Sequence, residues 1–352
     1  MRSPFMQQVG ENVDRLVSID FPSYGVIGPL HAGARRLQEG PLCMRAAEML
    51  IERVKPGSTV AILTGLIIPG HHPYGETDGP LGAAVLARAL AMGLSARVVV
   101  AIEPELVGMM SALLRTAELQ VVDADTLAGE DGRHRAAAAV LAHSRDRDEA
   151  RAQASNWIDR FGIGAVVAIE KAGANAQGIY HMVGGGDISA TVSKGDTLFA
   201  EATKRGLTCI GIGDRGNELG MGPIADVARE LLPFGKVCRC PCGGGVADQT
   251  AADLAIAATV SNWGAYGVVA CLAALLERPE LLHTAALERA LLDRAIQVGG
   301  VDGMCGRPIA AVDGMGAATS ASVVELLAEI YRAQSVRDPS PYSTPLIKKD
   351  RT

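Results

Sequence analysis

Two acidic, glycine-rich stretches hold the residue types best suited to chemistry. GETDGP at 75–80 supplies Glu76, Thr77 and Asp78, and GIGDRGNELGMG at 211–222 supplies Asp214, Asn217 and Glu218. A third acidic position, Glu170, follows the apolar run AVVAI and is joined to Lys171. Carboxylates gathered in one cleft repel one another, so they need protons, a cation or separation. A hard divalent cation satisfies them most simply, and oxygen ligands suit Mg²⁺, Mn²⁺ or Ca²⁺ rather than zinc. Asp78, Asp214 and Glu218 are therefore the candidate metal ligands. The competing reading is that Asp78 and Asp214 cap neighbouring helices, as short acidic side chains often do.

Other motifs narrow the chemistry. GIGDRG matches the G-x-G-x-x-G pattern after a strand, but Asp214 would stand where a pyrophosphate approaches and Pro223 delays the next helix. The following strand-like segment, KVCRCPC, ends on no acid that could hold a ribose, so no nucleotide is expected. Cys238, Cys240 and Cys242 lack the C-x-x-C spacing of familiar zinc sites, which favours small buried residues at a strand end. His71-His72 either ligates, shuttles protons or lies in an exposed loop. Serine hydrolase, Walker A, zincin and EF-hand patterns are missing from the sequence.

The elements that must position these loops alternate along the chain. PLCMRAAEMLIERV at 41–54 has helical spacing and stops at Lys55-Pro56-Gly57; the short apolar run at 59–63 reads as a strand covered on both faces. A helix opening at Pro80 follows, then a strand at 96–102, a helix from LVGMMSALLRTA, a short strand LQVV and a charged, helix-rich region over about 133–160. Strands at 165–170 and 207–212, helices at 195–205 and 224–232 and a strand near 236–240 continue the pattern. From 249 the chain turns helical, with helices expected at 249–260, 264–277, 284–297 and 319–334. This βαβα order predicts an α/β fold, a mostly parallel sheet flanked by helices with a helix-rich C-terminal third. Polar loops just beyond its strands are then the natural ligand site. Residues 1–40 form an N-terminal segment and 41–335 the main domain, where two lobes could meet at the charged stretch near 145–160. Residues 336–352 form a loosely held tail.

Composition agrees with a small-molecule enzyme. The 352 residues are 48% hydrophobic, enough for a sizeable core, and a net charge of −6 gives no field that would recruit nucleic acid or an anionic membrane. Seven cysteines, an odd number in mostly apolar surroundings, fit a reducing cytoplasm, and MRSPFMQQVGENVDRL has no apolar core of signal-peptide length. The run at 251–276 approaches membrane-span length but contains Asp253 and Ser261-Asn262, so a buried helix interrupted at SNWG is expected.

The sequence resembles the D-glutamate cyclase C-terminal domain family and its stand-alone microbial relatives. The likeness covers roughly residues 15–335 through GETDGPLGAAVLARAL, EKAGANAQGIYH, GIGDRGNELGMG, VSNWGAY, VDGMCG and VDGMG. It departs at Arg215, where the family's pattern has glycine, and at the C-x-C-x-C approach to Gly243-Gly244-Gly245. The resemblance implies a lyase that closes D-glutamate to 5-oxo-D-proline with loss of water. Such a reaction needs a neutral amine attacking a carboxylate, which a cation at Asp78, Asp214 and Glu218 would make electrophilic. Glu170 and Lys171 would move protons, with Asp214 and Glu218 in the catalytic set, and Thr77, Asn217, Ser261 and Asn262 would orient the substrate. The plainer alternatives are a strand-end ion pair for Lys171 and a helix cap for Asn262. A metal-dependent hydrolase or phosphatase and a non-catalytic binder of an amino acid or lactam remain the other classes. The substrate is expected to be a small acidic amino acid or its lactam, with no nucleic-acid or membrane partner and with a homo-oligomer allowed.

Overall fold

Five apolar runs become strands because their side chains are covered on both sides, as a parallel sheet between helical layers requires. The structure, a computed structural model, describes residues 4–129 and 136–335. Three helices come first: α1 (Pro4–Val17), α2 (Ile27–Arg36) and α3 (Leu42–Arg53). The alternating part follows as β1 (Thr59–Leu63), α4 (Pro80–Leu94), β2 (Arg97–Ile102), α5 (Val107–Thr116), β3 (Gln120–Val121), α6 (Ala124–Ala128) and β4 (Ala137–Ala142). It continues as α7 (Arg147–Phe161), β5 (Ile163–Ile169), α8 (Asp196–Lys204), β6 (Thr208–Gly213), α9 (Ala225–Leu231) and β7 (Leu254–Ala257). The last elements are α10 (Ser261–Leu276), α11 (Ala285–Gln297), the hairpin β8 (Ala311–Val312) and β9 (Met315–Gly316), and α12 (Ala317–Ser335).

The seven strands β1–β7 lie in the order β3-β4-β2-β1-β5-β6-β7, all parallel. The chain leaves β1 for β2 on one side and later returns to β5 on the other. Connections therefore diverge above the β1–β5 pair, opening a crevice at the strands' C-terminal ends. One face of the sheet packs on α3, α4 and α10. The other is covered by α7 and α8 through Trp157, Phe161 and Phe199. Helix α10 is apolar all round and buried along nearly its whole length, as a helix enclosed by α1, α3, α4 and α12 must be.

Several expectations are corrected. Residues 249–260 hold no helix: Leu254–Ala257 form β7, with Ile210 opposite Leu254 in the parallel register. SNWG opens α10 instead of interrupting a longer helix. A short apolar run is compatible with either element, and here the open side of β6 decides it. The strand expected at 236–240 is irregular chain, broken by Pro241 and three consecutive glycines. The helix-rich region at 133–160 contains β4, whose alanines favour a helix in isolation but sit between β2 and β3. Residues 130–135 and the C-terminal tail lie outside the described residues. The first forty residues contribute Val9, Val13, Leu16, Val17 and Leu30 to the main core. Among the described residues, no helix is long and apolar enough to cross a membrane.

Candidate active site

The acidic loops converge at the crevice. Asp78 sits just ahead of α4, and its carboxylate accepts the first two backbone N–H groups of α10, Ser261 at 3.0 Å and Asn262 at 2.8 Å. Asn262 returns the favour to α4: its Oδ1 accepts from Gly79 at 2.9 Å and Gly82 at 2.7 Å while its Nδ2 donates to the Thr77 carbonyl. Gly79 makes the turn possible, with φ +87° and only 2.6 Å between a would-be Cβ and Thr64 Oγ1.

Beyond β5 and β6, Glu170, Asp214 and Glu218 each present one carboxylate oxygen within 4.8 Å of the others. Glu170 holds a left-handed φ of +47°, a conformation that costs a non-glycine residue about 1 kcal/mol or more and turns its side chain out of the strand. The GIGDRGNELGMG segment doubles back so closely that a Cβ on Gly211 would lie 2.7 Å from the Gly220 Cα. Its return is fixed by the Leu219 N–H on the Lys171 carbonyl at 2.6 Å and by Gly173 on the Asn217 carbonyl at 2.9 Å. Asp248, buried beneath, accepts from the backbones of Gly220 and Met221. The Gly216 backbone N–H points at Glu218 from 2.7 Å.

These groups face a cavity of about 130 Å³ whose wall also includes Leu66, Met182, Val183 and both His71 and His72. Five carboxylates line it (Glu76, Glu170, Asp214, Glu218 and Asp313) against one guanidinium, Arg215. Arg215 pairs with Asp214 at 3.1 Å and Asp313 at 3.6 Å. Burial first, and then the neighbouring carboxylates, raises Glu76, Glu170, Glu218 and Asp313 well above the usual range. Asp78 rises to about 7 by burial and by Asp214, against the lowering pull of its three backbone donors. Burial lowers His72 to about 4, keeping it neutral near pH 7, and its Nδ1 contact with the Leu66 carbonyl at 3.3 Å places the proton on Nδ1.

The residues singled out in the sequence separate into two groups. Glu170, Asp214, Glu218 and Asn217 line the cavity. Asn217 donates from Nδ2 to the His181 carbonyl at 3.2 Å, whereas its buried Oδ1 has no partner. Ser261 donates its hydroxyl to Glu170 Oε2. The others hold the frame: Asp78 and Asn262 cap helices, and Thr77 Oγ1 donates to the Ala311 carbonyl at 2.7 Å. Lys171 is fully buried outside the cavity wall, paired with Glu103 and donating to the Gly65 carbonyl at 3.1 Å. Burial lowers the Lys171 ammonium despite the opposing pull of Glu103. Glu76, Asp313 and Arg215 enter the site beside the expected ligands. Glu76 and Asp313 sit in GETDGP and VDGMG, two of the motifs that carry the family likeness, so their signal was present but gave no geometry.

The donor set fits a hard divalent cation. The three grouped residues offer carboxylate oxygens only, and a single arginine in the wall answers their charge.

Comparison with known proteins shows the family. A family model described as D-glutamate cyclase-like, C-terminal, matches residues 28–328. The human protein D-glutamate cyclase, mitochondrial, is 30% identical over 230 residues, which is 64% of this chain and 33% of the human one. The chain thus spans about a third of that relative's length. With the family's motifs folded into one acidic crevice and its model matching most of the sequence, this chain belongs to the D-glutamate cyclase-like C-terminal family.

Proposed function

We propose that the protein is a lyase that closes D-glutamate to 5-oxo-D-proline and water, using a divalent cation, Mn²⁺ or Mg²⁺, held by Glu170, Asp214 and Glu218. The observation that carries this reading is the meeting of those three carboxylates with the unpartnered Asn217 Oδ1 on one small cavity. When bound, the cation supplies Lewis acidity, offsetting the charge of the substrate's γ-carboxylate and of the oxyanion that forms from it.

The chain's own groups do the rest. Asn217 Oδ1 accepts a hydrogen bond from the substrate ammonium and orients it. Arg215, anchored by Asp214 and Asp313, attracts the α-carboxylate. The substrate nitrogen gives up one proton before it attacks the γ-carbon and a second after, and both leave with the oxygen as water when the C–O bond breaks. Glutamate and 5-oxoproline both carry one net negative charge, so protons only circulate within the site. Lys171 is committed to Glu103, so Glu76 is the better proton carrier: it lines the cavity, burial raises its carboxyl well above the usual range, and its Oε1 has no partner. Leu66, Met182 and Val183 exclude bulk water, which would otherwise favour reopening of the lactam.

The test is to strip the purified protein with chelator, restore Mn²⁺ or Mg²⁺ separately, and offer D- and L-glutamate and both lactams, with chiral chromatography as readout. Lactam formed from D-glutamate only with cation present supports the reading. Phosphate release from small phosphate esters, or tight binding of glutamate without turnover, would replace it with a hydrolase or a binding protein.

A further inference from the structure

A second cluster stands behind the cavity wall, built from softer ligands. His181 Nε2 lies 3.2 Å from Cys240 Sγ and 3.7 Å from Cys242 Sγ, and Cys238 Sγ lies 3.5 Å from Cys240 Sγ and 3.3 Å from Cys242 Sγ. All four ligand atoms fall within 4.8 Å of one another. Zinc bonds of about 2.3 Å to sulfur and about 2.0 Å to nitrogen, set tetrahedrally, place sulfurs about 3.8 Å apart and nitrogen about 3.5 Å from sulfur. The two nitrogen–sulfur distances lie either side of about 3.5 Å, and the two sulfur–sulfur distances are a few tenths of an ångström shorter than about 3.8 Å. They are far longer than a disulfide of about 2.05 Å, and no one pair of sulfurs is singled out.

We propose that His181, Cys238, Cys240 and Cys242 bind one zinc ion in a closed, structural Cys₃His site, distinct from the carboxylate group of the cavity. Binding releases three thiol protons to solvent and leaves the imidazole neutral, so the filled site carries one net negative charge. Two donors already aim at that charge: the Gly244 backbone N–H at 3.4 Å and Asn175 Nδ2 at 3.5 Å, both on Cys242 Sγ. N–H groups directed at a ligand sulfur are the second layer such sites need. Thiolate and imidazole select zinc over the hard cations that suit the carboxylates.

The position explains what the ion is for. Residues 232–253 join α9 to β7 with no helix or strand, a length at which loops need some other anchor. The site pins that loop to the 180–187 segment, where Arg239 N–H also bonds the Gly185 carbonyl at 2.9 Å. Met182 and Val183 line the cavity, and the His181 carbonyl receives Asn217. The ion thereby stiffens one wall of the substrate site without touching the substrate.

The experiment uses the full chain purified under reducing, chelator-free conditions. Elemental analysis is made on the wild type, on Cys240→Ser and Cys242→Ser, and on Glu218→Gln. Cobalt(II) exchanged into the wild type reports geometry by absorption. We expect about one zinc per chain in the wild type and in Glu218→Gln, and loss of most of it in both cysteine variants. Cobalt should give strong d–d bands and thiolate charge-transfer absorption. If the cysteine variants do not fold, the cobalt spectrum of the wild type decides alone. A wild type that takes up no zinc on anaerobic reconstitution, a mapped disulfide among the three cysteines, or a cobalt spectrum without thiolate bands overturns the proposal. Because the readout is metal content and spectrum, the outcome is independent of whether the protein cyclises glutamate.

Discussion

Asp78 and Asn262 cap each other's helices. Asp78 Oδ1 accepts the Asn262 backbone N–H at 2.8 Å, and the Asn262 side chain in turn accepts from Gly79, the residue beside Asp78, at 2.9 Å. The exchange locks the N-termini of α4 and α10 together under the cavity, and both side chains are buried. Replacing Asp78 with Ala strands two buried N–H groups of α10 and should cost about 1–3 kcal/mol of stability, read as a lower denaturant midpoint. Manganese uptake by the folded variant should persist, because Asp78 stands outside the group formed by Glu170, Asp214 and Glu218. Loss of the cation with unchanged stability would return Asp78 to the ligand set.

Asp214 and Glu218 should behave differently. Asp214→Asn and Glu218→Gln each remove one anionic oxygen from the three-carboxylate group while keeping its shape. Manganese affinity should fall by about 100-fold or more, since even outer-layer partners are worth 10–100-fold. Turnover at saturating manganese should fall with it, and titration calorimetry of the chelator-stripped variants would measure the first effect directly. Wild-type affinity in both variants would remove the cation from this site.

The division between ligands and frame was only half legible in the chain. Continuous apolar runs made β1, β5 and β6 readable, and with them the expectation that Glu170, Asp214 and Glu218 lie at strand ends. Nothing local announces that Asp78 caps a helix 183 residues away, because capping from another loop has no spacing rule. The same applies to His181, which lies 59 residues ahead of Cys240. Their meeting depends on a loop threading past α9, and C-x-C-x-C without a nearby histidine looks like any run of small residues. β4 and β7 were hidden by short alanine-containing runs whose conformation is set by the neighbouring strand. Lys171 is the reverse case: its place beside Glu170 suggests a paired acid and base, but its ammonium is buried against Glu103, while Glu170, at a left-handed φ just past β5, faces the cavity.

Glu76 provides a sharper test of the proposed chemistry. Its Oε1 is buried without a partner and it lines the cavity, yet it is outside the three-carboxylate group. Glu76→Gln keeps the volume and removes the transferable proton. The expected result is a fall in kcat of about 10²–10⁴, with little change in manganese affinity and loss of one limb of the kcat against pH profile. Unchanged kcat would assign proton transfer elsewhere.

The buried carboxylates also set how acidity should couple to the cation. Burial raises Glu76, Glu170, Glu218 and Asp313 well above their ordinary range, and Asp248, away from the cavity, rises to about 7 for the same reason. A carboxyl whose folded value is raised contributes stability that is complete below its unfolded value and is lost as pH climbs through the folded one. Metal-free protein should therefore lose stability as pH rises through and beyond about 7, the value to which burial raises Asp248, whereas the buried histidines, whose folded values are lowered, act in the opposite sense at lower pH. A bound cation replaces the protons that Glu170 and Glu218 would otherwise keep, so its stabilising effect should grow over the same interval. The measurement is the difference in Tm with manganese and with chelator at each pH, a difference that cancels Asp248, the histidines and the lowered ammonium of Lys171. A difference that widens with pH places the cation on the carboxylates. A constant difference would mean that manganese binds groups already ionised and that the raised carboxyls of the cavity play no part in holding it.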